Sequence, residues 1–320
     1  MLIHIGWSRT ATTWVQKGLF AHPDRGFSIV GKAHDQDHKT RKMVTHFSEH
    51  HPLKPLGPIR DKILDWLGPE IEAVQKAGKT PVITNEVLSG SEFASSYNAA
   101  KTADVLQAAF PDAKIFMATR EQISMIFSHW IRYVFAGGIL DIEDYIGWKY
   151  HPNWRELYPV FDLDSFCYNY TVSYYAELFG KDNVLLQPVE LLRAHPQEYV
   201  QNIYNLCGLP APEIPQSEFE TEVNSNHDTL AVQYIRYMNM GLGHPLFGDS
   251  RLYNKIRENG RRLSKWYAQR RDPQCSKSIK DDKMRRIAQS VGDYYAEPNA
   301  DLQDFVSCNL ADFGYNVAKR

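Results

Sequence analysis

Residues 2–20 constrain the fold more than any other part of the chain. A brief apolar run, Leu2-Ile-His-Ile5, breaks into a turn of small and hydroxyl residues, Gly6-Trp-Ser-Arg-Thr-Ala11, and the pattern turns helical from Thr12. A buried strand that feeds a helix through such a turn aims backbone N–H groups and the positive end of the helix dipole at one point, which suits a bound anion. Ser8, Arg9, Thr10, Ala11, Thr12 and Thr13 are therefore read as a cradle for the phosphate-bearing end of a nucleotide, with Arg9 as its fixed charge and the threonines as hydroxyl donors. A nucleoside-triphosphate loop needs GxxxxGK[ST], with the lysine on the outer phosphates and the next hydroxyl on magnesium. Counting from Gly6, the second glycine is Ala11 and the lysine is Thr12, so the magnesium-triphosphate reading loses both central parts.

The rest of the chain repeats the alternation of strand and helix. Short apolar runs at 81–84, 114–118 and 183–187 join 2–5 as candidate buried strands, and helical spacing covers 12–20, 59–77, 99–109, 122–135, 163–179 and 196–206. Such alternation predicts an α/β fold with a mainly parallel central sheet flanked by helices, three layers in all, opening on a P-loop-like turn. Gly78, Gly180 and Gly208 with Pro210 punctuate the helix ends. With 320 residues and no internal repeat, the expectation is a single domain over 1–320, in which the looser stretch 211–298 is an elaboration packed on the sheet.

Composition narrows the partners. A net charge of −2 argues against a chain that coats nucleic acid. Cys167, Cys207, Cys275 and Cys308 lie far apart, with no CxxC pair, and are read as reduced structural thiols without metal. No stretch approaches the ~20 apolar residues that span a bilayer, and no signal-peptide pattern opens the chain, so cytoplasm is the expected compartment.

At the segment Arg9-Thr10-Ala11-Thr12-Thr13 the sequence resembles the sulfotransferase family, whose first motif runs from a strand through Lys or Arg, Ser or Thr, Gly, and two hydroxyl residues into a helix. Ala11 departs from the glycine, which is tolerable if its backbone is not left-handed. A second anion site is read at the end of the strand 114–118, where Thr119-Arg120 precedes a helix carrying Ser128. Eight residues of helix cover ~12 Å, so one anion meets both only if the arginine reaches along the helix. The family's second motif has the same arginine-to-serine spacing, and the resemblance implies that Arg120 and Ser128 hold the 3′-phosphate of 3′-phosphoadenosine 5′-phosphosulfate (PAPS), the family's donor. It also implies a donor contact at Asn224 and Ser225, in a segment similar to one of many bacterial members. The likeness extends through Asn183–Leu209 to Gly314-Tyr315, close to the whole chain.

Glu86 follows the strand 81–84, and a carboxylate at the carboxyl end of a parallel strand faces the crevice where α/β folds bind ligands. It is the candidate general base for taking the acceptor's proton, with His34, His46 and His129 behind it. Sulfotransferases that act on carbohydrates or tyrosine look similar here, whereas those acting on phenols and steroids usually place a histidine near this point. The function expected is metal-independent, in-line transfer of a sulfuryl group from PAPS to an acceptor hydroxyl of a carbohydrate or other small molecule, leaving 3′-phosphoadenosine 5′-phosphate. An unusual P-loop kinase or hydrolase, and a non-catalytic nucleotide-binding module, stay open beside it. Aromatic residues from Trp130 to Tyr175 offer stacking faces for an acceptor but are more often core, and the basic stretch 255–271 is more often a solvated face.

Overall fold

The computed structural model describes residues 1–7, 9–31, 44–48, 50–90, 98–147, 161–219, 229–242, 258–259, 262, 266, 270 and 273–319. Five parallel strands form one sheet in the order β2-β3-β1-β4-β5. They are β1 (Leu2–Gly6), β2 (Phe27–Ile29), β3 (Thr80–Thr84), β4 (Lys114–Thr119) and β5 (Val184–Pro188). The connecting helices include α1 (Thr12–Trp14), α2 (Leu56–Lys76), α3 (Ala99–Ala109), α4 (Gln122–Phe135), α5 (Ile142–Gly147), α6 (Tyr168–Phe179), α7 (Val189–Ala194), α8 (Pro196–Cys207), α9 (Gln216–Phe219), α10 (Thr229–Leu242), α11 (Pro273–Val291) and α12 (Ala296–Leu302). This is the α/β architecture expected from the sequence, a mainly parallel sheet flanked by helices.

The strands read as continuous apolar runs because both faces of the sheet are covered. Side chains alternate between the faces. Leu2 of β1, Val82 of β3, and Phe116 and Ala118 of β4 pack in one cluster with Val15, Leu19 and Phe20 and with Tyr199, Val200 and Ile203 of α8. In the odd-numbered series, Trp7 meets Tyr168 of α6 edge-on with ring centres 4.7 Å apart. The helix expected over 12–20 is α1 followed by wider π-type turns over Val15–Phe20. The edge strand β2 was not expected, since only Phe27 of its three residues is buried.

Two compact units are distinguished: 1–121, 163–223 and 294–320 in the first, 122–162 and 224–293 in the second. The first holds the whole sheet. In the second, Trp130 and Tyr145 are fully buried, as the core reading of the aromatics anticipated. Asp141 anchors this unit by pairing with Lys283 of α11 at 2.6 Å and Arg236 of α10 at 3.6 Å. The segment expected as elaboration, 211–298, is divided between the units. Trp148, Tyr150, Trp154, Tyr158 and most of the basic stretch 255–271 lie outside the described residues.

Candidate functional site

Strand β1 lies between β3 and β4, and the chain passes from β3 on one side of it to β4 on the other. In an open α/β sheet the carboxyl end of such a strand is where ligands bind. Here β1 leaves the sheet at Gly6 and enters the turn that precedes α1. Arg9 (φ 73°) and Ala11 (φ 56°) both adopt positive φ in this turn. The sequence reading allowed Ala11 on condition that its backbone is not left-handed; it is left-handed, with ψ 22°, and the condition fails. The Cβ clash costs roughly 1–2 kcal/mol at such a residue. Left-handed residues set close together turn successive N–H groups inward and create an anion-binding concavity. The Ala11 carbonyl accepts from the amides of Trp14 (3.0 Å) and Val15 (3.2 Å), which starts the helix. The amides of Thr12 and Thr13 precede that first helical bond and have no intrahelical partner.

Gly6 is required by close approach: a Cβ built there meets Thr12 Cγ2 at 2.5 Å and Thr10 Oγ1 at 3.2 Å. The helix start is thus pressed onto the strand end. Of the three hydroxyls expected in the cradle, that of Thr10 donates to the Trp7 carbonyl at 2.7 Å and is fully buried, so it braces the turn. The hydroxyl of Thr12 donates to Glu86 Oε1 at 2.9 Å. Thr13 makes no side-chain hydrogen bond among the described residues. Cradle and candidate base, 74 residues apart in sequence, are therefore in direct contact.

Glu86 opens a 3₁₀ turn, Glu86–Ser89, that is held by its own sequence. The Asn85 side chain accepts from the Val87 amide at 3.0 Å, and Ser89 Oγ donates to the Glu86 carbonyl at 2.8 Å. Beneath both turns lies a residue that the sequence reading passed over. His4 stacks on Phe116 (centroids 4.9 Å apart) and its Nδ1 is 2.8 Å from Thr84 Oγ1, which accepts from Gln16 Nε2 at 3.1 Å. The arrangement that uses every proton has Thr84 donating to Nδ1, which leaves the His4 proton on Nε2. Burial lowers the pKa of His4 from 6.5 to about 3, so the ring is neutral.

Arg120 is the first residue after β4. Its carbonyl accepts from Tyr168 Oη at 2.8 Å, while its guanidinium makes no hydrogen bond or ion pair among the described residues and its Nε is buried. Buried polar atoms without a protein partner are uncommon. Three of them, His4 Nε2, Trp7 Nε1 and Arg120 Nε, stand on or just beyond the two central strands. Those donors, the left-handed turn and Arg9 fit a phosphate-bearing ligand. Ser128 is half-buried on α4, in the second unit. Ser8, Asn224, Ser225 and the candidate base His34 lie outside the described residues. The other two candidate histidines, His46 and His129, are both engaged: the His46 ring packs on Trp66 (4.9 Å), and buried His129 holds Tyr145 Oη at 2.6 Å through Nδ1.

Sequence reasoning also missed Glu190, on α7 just beyond β5. It accepts from the Glu121 amide at 3.3 Å and from Tyr315 Oη at 3.5 Å. Burial raises its pKa from the ordinary carboxyl value. Its Glu-Leu-Leu setting carries no chemical signature; only the β4–β5 register brings it to Arg120. Among the described residues no His, Cys, Asp and Glu group is arranged to hold a metal ion, and no helix is long and apolar enough to cross a membrane. All four cysteines are unpaired.

No family model matches the chain, and no curated protein does. Solved structures similar to it include a sulfotransferase from Alicyclobacillus acidocaldarius, 17% identical over 71% of this chain and 86% of that one, with a TM-score of 0.47. Two more are the sulfotransferase domain of the Synechococcus PCC 7002 olefin synthase (15% identity, 70% and 78% covered, TM-score 0.38) and the sulfotransferase domain of the curacin biosynthetic pathway (12%, 70% and 78%, 0.40).

Proposed function

We propose that this protein transfers a sulfuryl group from PAPS to a hydroxyl of a carbohydrate or other small acceptor, without a metal ion, and works in the cytoplasm as one sulfotransferase domain. The single observation that carries the reading is the contact between Thr12 and Glu86, which joins a left-handed anion cradle bearing Arg9 to a carboxylate at the next strand's end. A triphosphate enzyme would need the lysine that Thr12 replaces, and here Thr12 serves the carboxylate.

In the proposed reaction the S–O bond to the donor's phosphate breaks as a new S–O bond forms to the acceptor oxygen. Glu86 takes the acceptor's proton as that bond forms. Arg9 stabilises the charge that builds on the departing phosphate, as preorganised cations do in phosphoryl transfer. The turn from Ser8 to Thr13 holds the 5′ end through its amides. Arg120 and Ser128 keep the role that the sequence resemblance gives them, holding the 3′-phosphate, and Asn224 and Ser225 add a donor contact. Residues 211–298 shape the acceptor site.

Incubation with sulfur-labelled PAPS and a panel of saccharides, phenols, lipids and peptides tests this directly. Label is expected in a hydroxyl-bearing acceptor with the native chain and in none with Arg9→Ala. Near-normal transfer by Arg9→Ala sinks the mechanism. Label that appears in no acceptor, with the bisphosphate still bound, favours a non-catalytic module.

A further inference from the structure

The carboxyl end of β4 gathers a second arginine that the sequence motif does not account for. Thr119 of β4 pairs in register with Pro188 of β5, and α7 starts at the next residue, Val189. The start of α7 is therefore carried to the point where the chain leaves β4. The Glu190–Glu121 hydrogen bond fixes this placement, and Arg193, one helical turn beyond Glu190, falls on the adjoining face of α7. Burial first, and the Arg193 charge after it, press the Arg120 guanidinium below the usual arginine range, against the opposing charges of Glu190 and Glu121.

Two arginines set this close repel each other unless a negative charge lies between them. Glu190 supplies part of that charge, but its oxygens accept from the Glu121 amide and the Tyr315 hydroxyl and form no ion pair with either guanidinium. Neither guanidinium forms an ion pair among the described residues, and Arg120 Nε is a buried donor with no partner. Arg193 is exposed and open to a ligand.

We infer that Arg193 joins Arg120 in holding one phosphomonoester dianion, and that Arg193 makes the site discriminate in favour of a nucleotide phosphorylated on its 3′-hydroxyl. This deepens the proposed function and rests on it, since that reading places the donor's 3′-phosphate at Arg120. A guanidinium offers two parallel donors to a phosphate where lysine offers a point charge, so the two residue types are distinguishable at this position.

Calorimetric titration of the native chain, Arg193→Ala and Arg193→Lys with adenosine 3′,5′-bisphosphate and with adenosine 5′-phosphate tests the assignment. Arg193→Ala is expected to weaken the bisphosphate about tenfold, the loss of one charge-assisted contact, and to leave the 5′-monophosphate unchanged. Arg193→Lys is expected to fall between the native chain and Arg193→Ala. An unchanged bisphosphate affinity in Arg193→Ala, or an equal loss for both ligands, overturns the inference while the proposed function stands. A native chain that binds neither nucleotide overturns both. Because the side chain is exposed, unaltered melting of each variant serves as the folding control.

Discussion

The turns after β1 and β3 leave the carboxyl end of the same sheet, side by side, and are built in opposite ways. After β3 the backbone is relaxed: Asn85 caps the turn, Ser89 closes it, and the one residue needing positive φ is Gly90, at 94°. After β1, positive φ falls on Arg9 and Ala11, neither of them glycine, and Gly6 is spent on letting Thr12 approach the strand. The Glu86 turn would hold its shape from its own sequence. The cradle's shape is imposed by its surroundings, through Thr10 on Trp7, Thr12 on Glu86 and the packing onto Gly6. Backbone strain of this kind persists only where neighbouring structure over-determines it, and it concentrates where ligands are held.

The largest test of that contrast concerns His4, which ties the two strands together beneath their turns. Its folded pKa of about 3 lies below the ordinary 6.5, so the unfolded chain binds the extra proton. Stability from this residue is complete above about pH 6.5 and is lost as pH falls towards 3, on the order of 3 kcal/mol by about pH 4. Denaturant unfolding across this range should show the loss, and His4→Gln should flatten the slope by one proton. An unchanged slope in the variant would remove His4 as the link.

Gly6→Ala follows in size. The added methyl must push Thr12 off the strand, which should cost about 2 kcal/mol of folding stability and abolish nucleotide binding. A variant of native stability and affinity would mean that the approach of Thr12 to β1 is dispensable. Thr12→Val keeps the packing and removes the hydrogen bond to Glu86. It is expected to cost about 1 kcal/mol and to lower turnover more than donor affinity, measured as kcat against KM. The smallest effect has the opposite sign. Ala11→Gly relieves a left-handed alanine and should stabilise the chain by about 0.5 kcal/mol, less than the full strain because glycine orders more backbone. A destabilised Ala11→Gly would contradict the account of strain in the cradle.

Much of the fold was legible because its signals are local. The runs ending at Thr84 and Thr119 are brief, apolar and closed by turns, and the strands lie within a residue or so of them. The edge strand Phe27–Ile29 was not, because three residues with one buried side chain leave no periodicity to read. Helices α10 and α11 fell in a stretch that looked loose, where Pro210–Pro215 and the polar run 224–228 hid helical faces completed only by partners such as Asp141. In the site, the turn chemistry of Arg9–Thr13 and the position of Glu86 were readable from strand ends. The Thr12–Glu86 bond, the His4–Thr84–Gln16 chain and the approach of Glu190 to Glu121 all depend on sheet register across 68 to 80 residues, which no local pattern encodes.

The central claim, a strained cradle built for a 3′-phosphorylated adenosine nucleotide rather than for a magnesium triphosphate, is tested most directly by calorimetry in the presence of a chelator. The account predicts saturable, single-site binding of adenosine 3′,5′-bisphosphate that magnesium does not improve, and no comparable binding of ATP or GTP with or without the metal. Magnesium-dependent binding of a triphosphate, with the bisphosphate left unbound, would contradict it.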